Sequence, residues 1–450
     1  MAAGIDYTYK YDFSSGLTPS NDQRRASLSL ATCNLNHKNP YFFEGKMRHP
    51  RVIGDMLITL SDIVRTHYFL PTPAILDPVL TSNEDLLRLE GFSGCCGVYA
   101  RADLPAEAFE GNSHGRGTTN VDFNTPMRRA LMRLREGDDV NFSVGKNEVV
   151  LSKDDLKIVE KKVKLPLRWI KSFSEVQAYQ ANLELAMEVS AADALRFIRT
   201  LPKTNRPKTP SYVVSKGRAL RLSQRKTNGA VKILGTQRVK TIEKLLPRAE
   251  TLNIWHDQNN GTSAWEVCFE VGSFFLMISP EVYRGFSGEG QTLSQLSTTR
   301  NSGLISQIRA ELKWQSMLNV EEIATKLNTS AENIERALAV LGARGLAGFD
   351  VKNGQYFHRE LPFDMSKVEA MQPRLRNARK LVDSGLVKKN ASLNDVTVYS
   401  VAGTDISHRV ELRHHGDHCT CQWFSRYQGK RGPCKHILAA NLMDELERFS

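Results

Sequence analysis

Residues 418–442 read HCTCQWFSRYQGKRGPCKHILAANL, and this stretch holds three of the chain's seven cysteines. Cys419 and Cys421 form a Cys-x-Cys pair, and Cys434 and His436 form a Cys-x-His pair after twelve further residues. Because residues i and i+2 of a strand point to the same side, a Cys-x-Cys pair at a strand end can aim both sulfurs at one point. The spacing therefore predicts that the four side chains meet.

The four side chains predict one structural zinc ion. Two thiolates on a tetrahedral zinc, each about 2.3 Å from the metal, lie roughly 3.8 Å apart, which this spacing allows. The apolar pattern from residue 435 onward predicts a helix, with Cys434 just before it and His436 on its first turn. Three thiolates and one imidazole leave no open coordination position, so the site is structural rather than catalytic. The alternatives are ordinary buried cysteines, or competition from His414, His415 or His418 as ligands.

This spacing resembles the SWIM-type zinc finger, whose pattern is Cys-x-Cys, a variable loop and Cys-x-His. The strands predicted at 396–402 and 408–414 and the helix after the cluster also match the ββα order of that finger. The resemblance places the finger at about residues 405–445. It implies that Cys419, Cys421, Cys434 and His436 hold the Zn²⁺.

The wider chain also resembles bacterial SWIM-finger proteins of similar length. The stretches GFSGCCGVYARADL (91–104) and GTTNVDFNTPMRRAL (117–131) carry this similarity. Some proteins of that kind are encoded beside MoxR-type AAA ATPases and von Willebrand A proteins. The resemblance therefore implies an alternative function, in which the chain is an adaptor or partner of such a system without nucleic-acid binding.

Composition limits the class of protein. The chain has 450 residues and a net charge of +12. A chain of this length is too long to fold around one hydrophobic core, so several domains are expected. An odd number of sparse cysteines argues against a disulfide framework and favours reduced thiols in the cytoplasm. No apolar run approaches the roughly eighteen residues of a membrane span, and the N-terminus has no signal-peptide pattern.

Positive charge is concentrated in one segment. Residues 201–250 hold thirteen lysines and arginines against two acids, which is +11 of the total +12. Such a field predicts an acidic partner, either nucleic acid or an acidic protein, and a solvated face is the alternative. The predicted binding residues here are Lys216, Arg218, Arg221, Arg225, Lys226 and Lys232, with Arg238 and Lys240 beside them. A second predicted cluster lies around the zinc loop and comprises Arg426, Lys430, Arg431 and Lys435.

Four regions are predicted along the chain, and the fold class is α+β and multidomain. Residues 1–155 are expected to form an N-terminal α/β domain. Residues 156–300 are expected to form a basic α+β region that includes a helix over 173–199. Residues 303–361 are expected to form a winged helix-turn-helix domain. Residues 362–450 are expected to form a C-terminal domain that carries the zinc finger.

The winged-helix prediction rests on the order of elements in 303–361, which is three helices followed by a hairpin. Asn319 and Thr329 are predicted N-caps, each with a glutamate three residues on. Asn353 and Gly354 predict the turn of the wing. The predicted recognition helix offers Arg336 but also two glutamates, so DNA reading and protein contact both stay open.

Together these features predict a binding module and no enzyme. Zinc would fold a small ββα unit that presents basic loop residues to nucleic acid or an acidic protein. Structural zinc sites contribute about 10–16 kcal/mol of apparent binding energy, so Cys434→Ala is expected to unfold about the last forty residues. The adjacent Cys95 and Cys96 lie on a predicted strand over 91–104. They allow a nucleophile interpretation, but their glycine and apolar neighbours favour core cysteines.

Overall fold

The computed structural model describes residues 4–11, 15–19, 25–30, 41–68, 77–83, 85–112, 115–145, 159–202, 209–217, 219–281, 285–288, 290, 292–293, 302–361, 372–393, 396–413, 416–429 and 431–448. Helices and strands both contribute throughout these ranges, so the predicted mixture of the two is confirmed. None of the helices in these ranges combines the length and the apolar character that a membrane crossing requires.

The first part of the chain contains eleven strands and three helices among its described residues. Strands β1 to β11 are Gly4–Tyr11, Gly16–Pro19, Arg25–Leu30, Tyr41–Met47, Val79–Ser82, Leu86–Phe92, Val98–Pro105, Phe109–Asn112, Gly117–Asn120, Asp139–Gly145 and Val159–Pro166. Helices α1 to α3 are Pro50–Arg65, Thr125–Arg133 and Leu167–Gln180. Helix α1 begins with Pro50 at its first turn, where a missing N–H is tolerated, and it buries its apolar face against β6 and β7.

The middle part alternates short helices with strands. Strands β12 to β18 are Glu184–Ser190, Ser211–Lys216, Ala219–Ser223, Val231–Ile233, Thr251–His256, Ser263–Phe269 and Gly272–Ile278. Helices α4 and α5 are Ala191–Thr200 and Thr236–Val239. The helix predicted over 173–199 is therefore interrupted, because β12 pairs with β16 in register from Glu184 to Ser190.

One antiparallel sheet joins the first and middle parts. Its eight strands run in the order β12-β16-β17-β18-β7-β6-β5-β9, and β18 pairs with β7 where the two parts meet. The described residues also form a five-stranded sheet of order β2-β3-β10-β4-β8 and a three-stranded sheet of order β14-β13-β15. Described residues before and after the predicted boundary share the eight-stranded sheet and one hydrophobic core, while the boundary itself, at residues 155 and 156, lies outside the described residues.

Residues 302–361 fold into three helices followed by a two-stranded sheet. Helices α6 to α8 are Ser302–Glu311, Val320–Lys326 and Ala331–Ala343, and strands β19 and β20 are Ala347–Asp350 and Gln355–His358. The predicted cap at Asn319 is confirmed, since its side chain accepts a hydrogen bond from the Glu322 N–H. The predicted cap at Thr329 is wrong by one residue, because Ser330 accepts from the Asn333 N–H.

This capping difference gives a small test of the fold. Ser330→Ala should lower the free energy of unfolding by about 1 kcal/mol, because the first turn of α8 loses its capping acceptor. Thr329→Ala is the matched control. The Thr329 hydroxyl accepts a hydrogen bond from the exposed Asn333 side chain, so its removal should have a smaller effect. Urea denaturation of both variants measures the difference. Equal effects would show that Ser330 is not the effective cap.

The two-stranded sheet of this unit packs against the eight-stranded sheet through buried charges. Asp350 on β19 accepts a hydrogen bond from Arg88 on β6 at 2.5 Å and lies 3.5 Å from Arg101 on β7. Asp103 binds the same two arginines, at 3.2 and 2.8 Å. A further buried pair joins Arg359 to Glu90. We call these six residues the buried ion network.

The C-terminal unit builds its own core around the predicted zinc finger. Helix α9 is Pro373–Asp383, and strands β21 to β24 are Val387–Leu393, Val396–Ala402, Ser407–Arg413 and His418–Cys419. They form one antiparallel sheet in chain order. Helices α10 and α11 are Gln422–Tyr427 and Lys435–Arg448. Both α9 and α11 contribute to the core, and Leu293 from outside the unit is buried in it.

Candidate metal centre

Four short elements place the predicted ligands. Cys419 ends strand β24, and Cys421 is the N-cap of helix α10. Cys434 comes directly before helix α11, and His436 is the second residue of that helix, as predicted. The left-handed conformations of Gln428, Gly429 and Gly432 turn the intervening chain back on itself.

The four donor atoms lie close enough to share one ion. One donor atom from each of Cys419, Cys421, Cys434 and His436 lies within 4.8 Å of the other three, and all four residues are buried. The Cys419 Sγ lies 3.8 Å from the His436 Nδ1. In a tetrahedral zinc site, with Zn–S near 2.3 Å and Zn–N near 2.0 Å, these atoms lie roughly 3.5 Å apart. The separation therefore fits zinc.

Backbone amides support negative charge on each sulfur. The Cys421 N–H donates to the Cys419 Sγ at 3.5 Å, and the Phe424 N–H donates to the Cys421 Sγ at 3.4 Å. The Ile437 N–H donates to the Cys434 Sγ, also at 3.4 Å. Hydrogen bonds to the charged form of a group favour that form. These three amide hydrogen bonds therefore favour the thiolate form of each sulfur.

The thiols also perturb one another strongly. Hydrogen bonds from Cys419 and Cys434 hold the pKa of Cys421 far below its usual range. The same contact with Cys421 raises the pKa of Cys419, and the pKa of Cys434 is raised to about 11. Three buried thiolates at this distance repel each other, so a cation is needed to hold all three together. A divalent ion supplies that charge.

Besides the ligand His436, four histidines lie near the cluster in sequence or in space. His418 is exposed, and its ring contacts Phe424 at 5.0 Å between centroids, which places it outside the cluster. His414 and His415 lie outside the described residues. Sequence reasoning missed His408 on β23, whose ring lies 4.4 Å from that of His436. The pairing of β23 with β24 begins two residues further on, at Val410 and Cys419, so no local sequence pattern indicates that His408 lies beside the cluster.

An arginine on α9 holds the zinc loop in place. The Arg374 Nη1 donates to the carbonyl oxygens of Arg431 and Pro433, both at 2.7 Å. Its guanidinium carbon also lies 4.9 Å from the centre of the Trp423 ring. Arg374 lies far from the cysteines in sequence and was not predicted. It fixes the loop between the two ligand pairs.

Arginine and aromatic side chains alternate along this face of the finger. Arg431 lies over Trp423 and Tyr427, at 5.2 and 4.4 Å from the ring centres. Arg426 lies 5.4 Å from the centre of the Tyr427 ring. The two rings are 4.6 Å apart, one turn from each other on α10. We call Arg374, Trp423, Arg431, Tyr427 and Arg426 the arginine–aromatic ladder.

The structure places the predicted basic residues in two separate settings. Around the zinc loop, Arg426 is exposed, Arg431 and Lys435 are half-buried, and Lys430 lies outside the described residues. On the three-stranded sheet and its turns, Lys232 is half-buried and Arg218 lies outside the described residues. The exposed residues of this second group are Lys216, Arg221, Arg225 and Lys226.

Two further basic residues point inward, which corrects the prediction that they lie on that surface. Arg238 is fully buried and donates to the Gly97 carbonyl at 2.8 Å and to the Ser279 Oγ at 3.0 Å. Burial lowers the pKa of Arg238 to about 9. Lys240 donates to the Ile198 carbonyl at 3.2 Å. Both cations thus satisfy backbone oxygens instead of facing a partner.

The adjacent cysteines lie in a turn, not on a strand. The predicted strand over 91–104 is divided into the end of β6 and all of β7, and Cys95 and Cys96 lie between them. Both are buried, and Cys96 has a left-handed φ of 56°. Burial raises the pKa of Cys96 to about 11, so its thiol stays protonated at neutral pH. These properties favour the structural interpretation over a nucleophile.

This geometry defines a zinc-binding module whose four ligands complete a tetrahedral site. Residues 416–445 match the family model of the SWIM zinc finger, so the chain carries a SWIM zinc finger with one structural zinc ion. The resemblance found in the sequence is thereby confirmed for this segment.

Solved structures align with this chain at low identity and low TM-score. No curated protein shows a significant match to the chain. The proliferating cell nuclear antigen of Entamoeba histolytica aligns over 54% of this chain and 99% of its own, with 10% identity and a TM-score of 0.36. The PCNA2–PCNA3 complex of Sulfolobus tokodaii aligns over 53% and 100%, with 13% identity and the same TM-score. At that TM-score neither structure defines the fold of this chain.

Proposed function

We propose that the protein binds nucleic acid through the basic face of its SWIM zinc finger. The zinc ion has a structural role, because its ligands fix the starts of α10 and α11 and the loop between them. The surface that meets the nucleic acid is the arginine–aromatic ladder, with Lys435 beside it. Protein binding by the same face is the competing form of this proposal.

The single observation that carries the proposal is the ladder itself. Guanidinium groups held over aromatic rings are fixed in orientation, so they lose little entropy when they bind phosphate oxygens. Aromatic rings and guanidinium planes are also the surfaces on which exposed bases stack. The basic residues of the three-stranded sheet have only Tyr212 as an aromatic neighbour in their strands, so they favour phosphate contact alone.

We further propose that residues 302–361 form a winged helix used for packing rather than for reading DNA. Three helices followed by a hairpin support the assignment, and Gly354 turns the hairpin with a φ of 63°. The wing strands face the buried ion network instead of solvent. On helix α8, Arg336 is paired with Glu332, which weakens its field toward a phosphate.

A salt titration tests the nucleic-acid proposal. The zinc-loaded full chain is expected to bind a fluorescently labelled oligonucleotide with affinity that falls steeply between about 50 and 200 mM salt, because phosphate contacts release counterions. Combined Arg426→Ala and Arg431→Ala substitutions should reduce the slope of log affinity against log salt by about 2. Arg196→Ala is the control, because Arg196 is exposed on α4 and paired with Asp193. A flat salt response of the unmodified chain would overturn the proposal.

The alternative function keeps its own test. An adaptor of a MoxR-type AAA ATPase and a von Willebrand A protein should retain those partners on purification from its native host. The protein-binding form of the proposal would be favoured if such an ATPase is recovered without nucleic acid. It would also require that the ATPase is no longer recovered with the Arg426→Ala, Arg431→Ala variant.

A further inference from the structure

A groove of about 550 Å³ opens onto the zinc finger, and its lining includes three of the zinc ligands, Cys421, Cys434 and His436, so the ion takes up part of this volume. Its walls are the start of α9, the turn between β22 and β23, and the first residues of α10 and α11. The groove is therefore framed by the elements that the zinc ion holds, and it lies next to the arginine–aromatic ladder. Volumes of this size accommodate a small organic ligand or a single building block of a polymer.

The charged and aromatic lining suits a flat, electron-rich ligand that carries a phosphate. Arg374 and Lys435 bring two cations to the groove, and Trp423 brings its ring. The Arg374 guanidinium is held by the carbonyl oxygens of Arg431 and Pro433, so its plane is fixed. A guanidinium plane held in one orientation offers stacking surface to a base, and the cations complement a neighbouring phosphate.

The polar lining supplies groups that recognise the edge of a base. Asn377 and Gln422 are exposed amides that can donate and accept at the same time. Asp405, in the turn between β22 and β23, is an acceptor that suits an amino group and disfavours a phosphate. Carboxylates accept hydrogen bonds from the amino groups of bases. Thymine and uracil have no amino group and cannot make this contact.

We propose that this groove takes one unstacked base of a single-stranded nucleic acid and prefers a base that carries an amino group. The inference rests on the proposed function and adds the form of the nucleic acid and the base preference. A base paired within a duplex has its edge occupied and its faces stacked, so it cannot enter a groove of this size. Asp405 and Asn377 read the edge, while Arg374 and Lys435 hold the flanking phosphate.

Fluorescence anisotropy with the zinc-loaded full chain tests the inference. The probes are labelled 12-mers. The DNA strands contain only cytosine or only thymine, and the RNA strands contain only cytosine or only uracil. A DNA duplex of mixed sequence is the fifth probe. The cytosine strand is expected to bind about five- to tenfold more tightly than the thymine strand, as one amino-group contact allows. Asp405→Ala should remove most of this preference, because it deletes the acceptor. Asp383→Ala removes an exposed carboxylate at the end of α9 and should leave the preference intact.

The outcomes distinguish a failure of the groove proposal from a failure of the proposed nucleic-acid binding. Salt-dependent binding with equal affinity for the cytosine strand, the thymine strand and the duplex, unchanged in Asp405→Ala, would overturn the groove proposal and leave nucleic-acid binding standing. Absence of binding to every probe would overturn both. A preference shown by only one of the DNA and RNA arms supports the groove and identifies which sugar it accepts.

Discussion

Replacing Cys434 with alanine is expected to release the zinc and to unfold residues 372–448 together, while the eight-stranded sheet stays folded. The substitution removes one of four ligands and leaves two thiols and a histidine packed in a small buried space. Apparent binding energies of structural zinc sites are about 10–16 kcal/mol, which exceeds the stability of most whole domains. Loss of the ion should therefore decide whether the unit folds.

The unit that unfolds is larger than the forty residues that local sequence predicts. Helix α11 carries His436 and also buries Ile437, Leu438 and Leu442 in the core that it shares with α9 and the sheet. The Tyr399 hydroxyl on β22 donates to Asp444 on the same helix at 2.8 Å. If α11 loses its anchor, strands β21 to β23 lose one side of their core.

Hydrogen exchange measured by mass spectrometry checks this extent directly. Protection should disappear across 372–448 in Cys434→Ala and persist in 86–105 and 251–278, which lie in the eight-stranded sheet. Elemental analysis should find near one zinc per unmodified chain and almost none in the variant. Cys268→Ala is the matched control, since that half-buried cysteine lies in the eight-stranded sheet. Retained protection in 372–448, or loss across the whole chain, would contradict the prediction.

Features that depend on neighbouring residues were accessible from the sequence. The zinc ligands, the Asn319 cap and the Gly354 turn each follow from spacing over fewer than twenty residues. Strand β22, at Val396–Ala402, was predicted with the bounds that the structure has. In each of these cases the local stereochemistry is enough to determine the result.

Features that depend on distant pairing were not accessible. Strand β12 has a helix-forming composition, yet its pairing with β16 overrides that propensity. Arg238 was predicted on a basic surface because the sequence gives its charge. The sequence does not show that its guanidinium donates to a buried carbonyl oxygen. Arg374 joined the candidate site only because α9 packs beside the zinc loop. Contacts of this kind leave no periodic signal.

Asp350→Ala is expected to lower the free energy of unfolding by about 3–5 kcal/mol, the usual effect of removing one partner from a buried ion pair. Asp350 is the carboxylate of the 302–361 unit that binds Arg88 and Arg101 on the large sheet. Without it, Asp103 alone would face two buried guanidinium groups. The wing strands should then detach from the sheet more readily.

The stability that Asp350 contributes is expected to depend on pH. Burial alone would raise the pKa of Asp350, but Arg101 and Arg88 outweigh burial and hold it below its ordinary value. A carboxylate with a lowered folded-state pKa contributes stability that is present above its unfolded pKa, about 4, and is lost as the pH falls through the folded value. The difference between the unmodified chain and Asp350→Ala should therefore shrink in acid.

Urea denaturation at neutral pH and near pH 3 measures both effects, with Glu332→Ala as the control for an exposed pair. The control should lose less than about 1 kcal/mol, because solvent screens its pairing with Arg336. A double variant, Arg88→Met with Asp350→Leu, should recover most of the lost stability, since it leaves one balanced pair and replaces the other with apolar contacts. Similar losses in Asp350→Ala and Glu332→Ala would mean that the network contributes little and that apolar contacts hold the two units together.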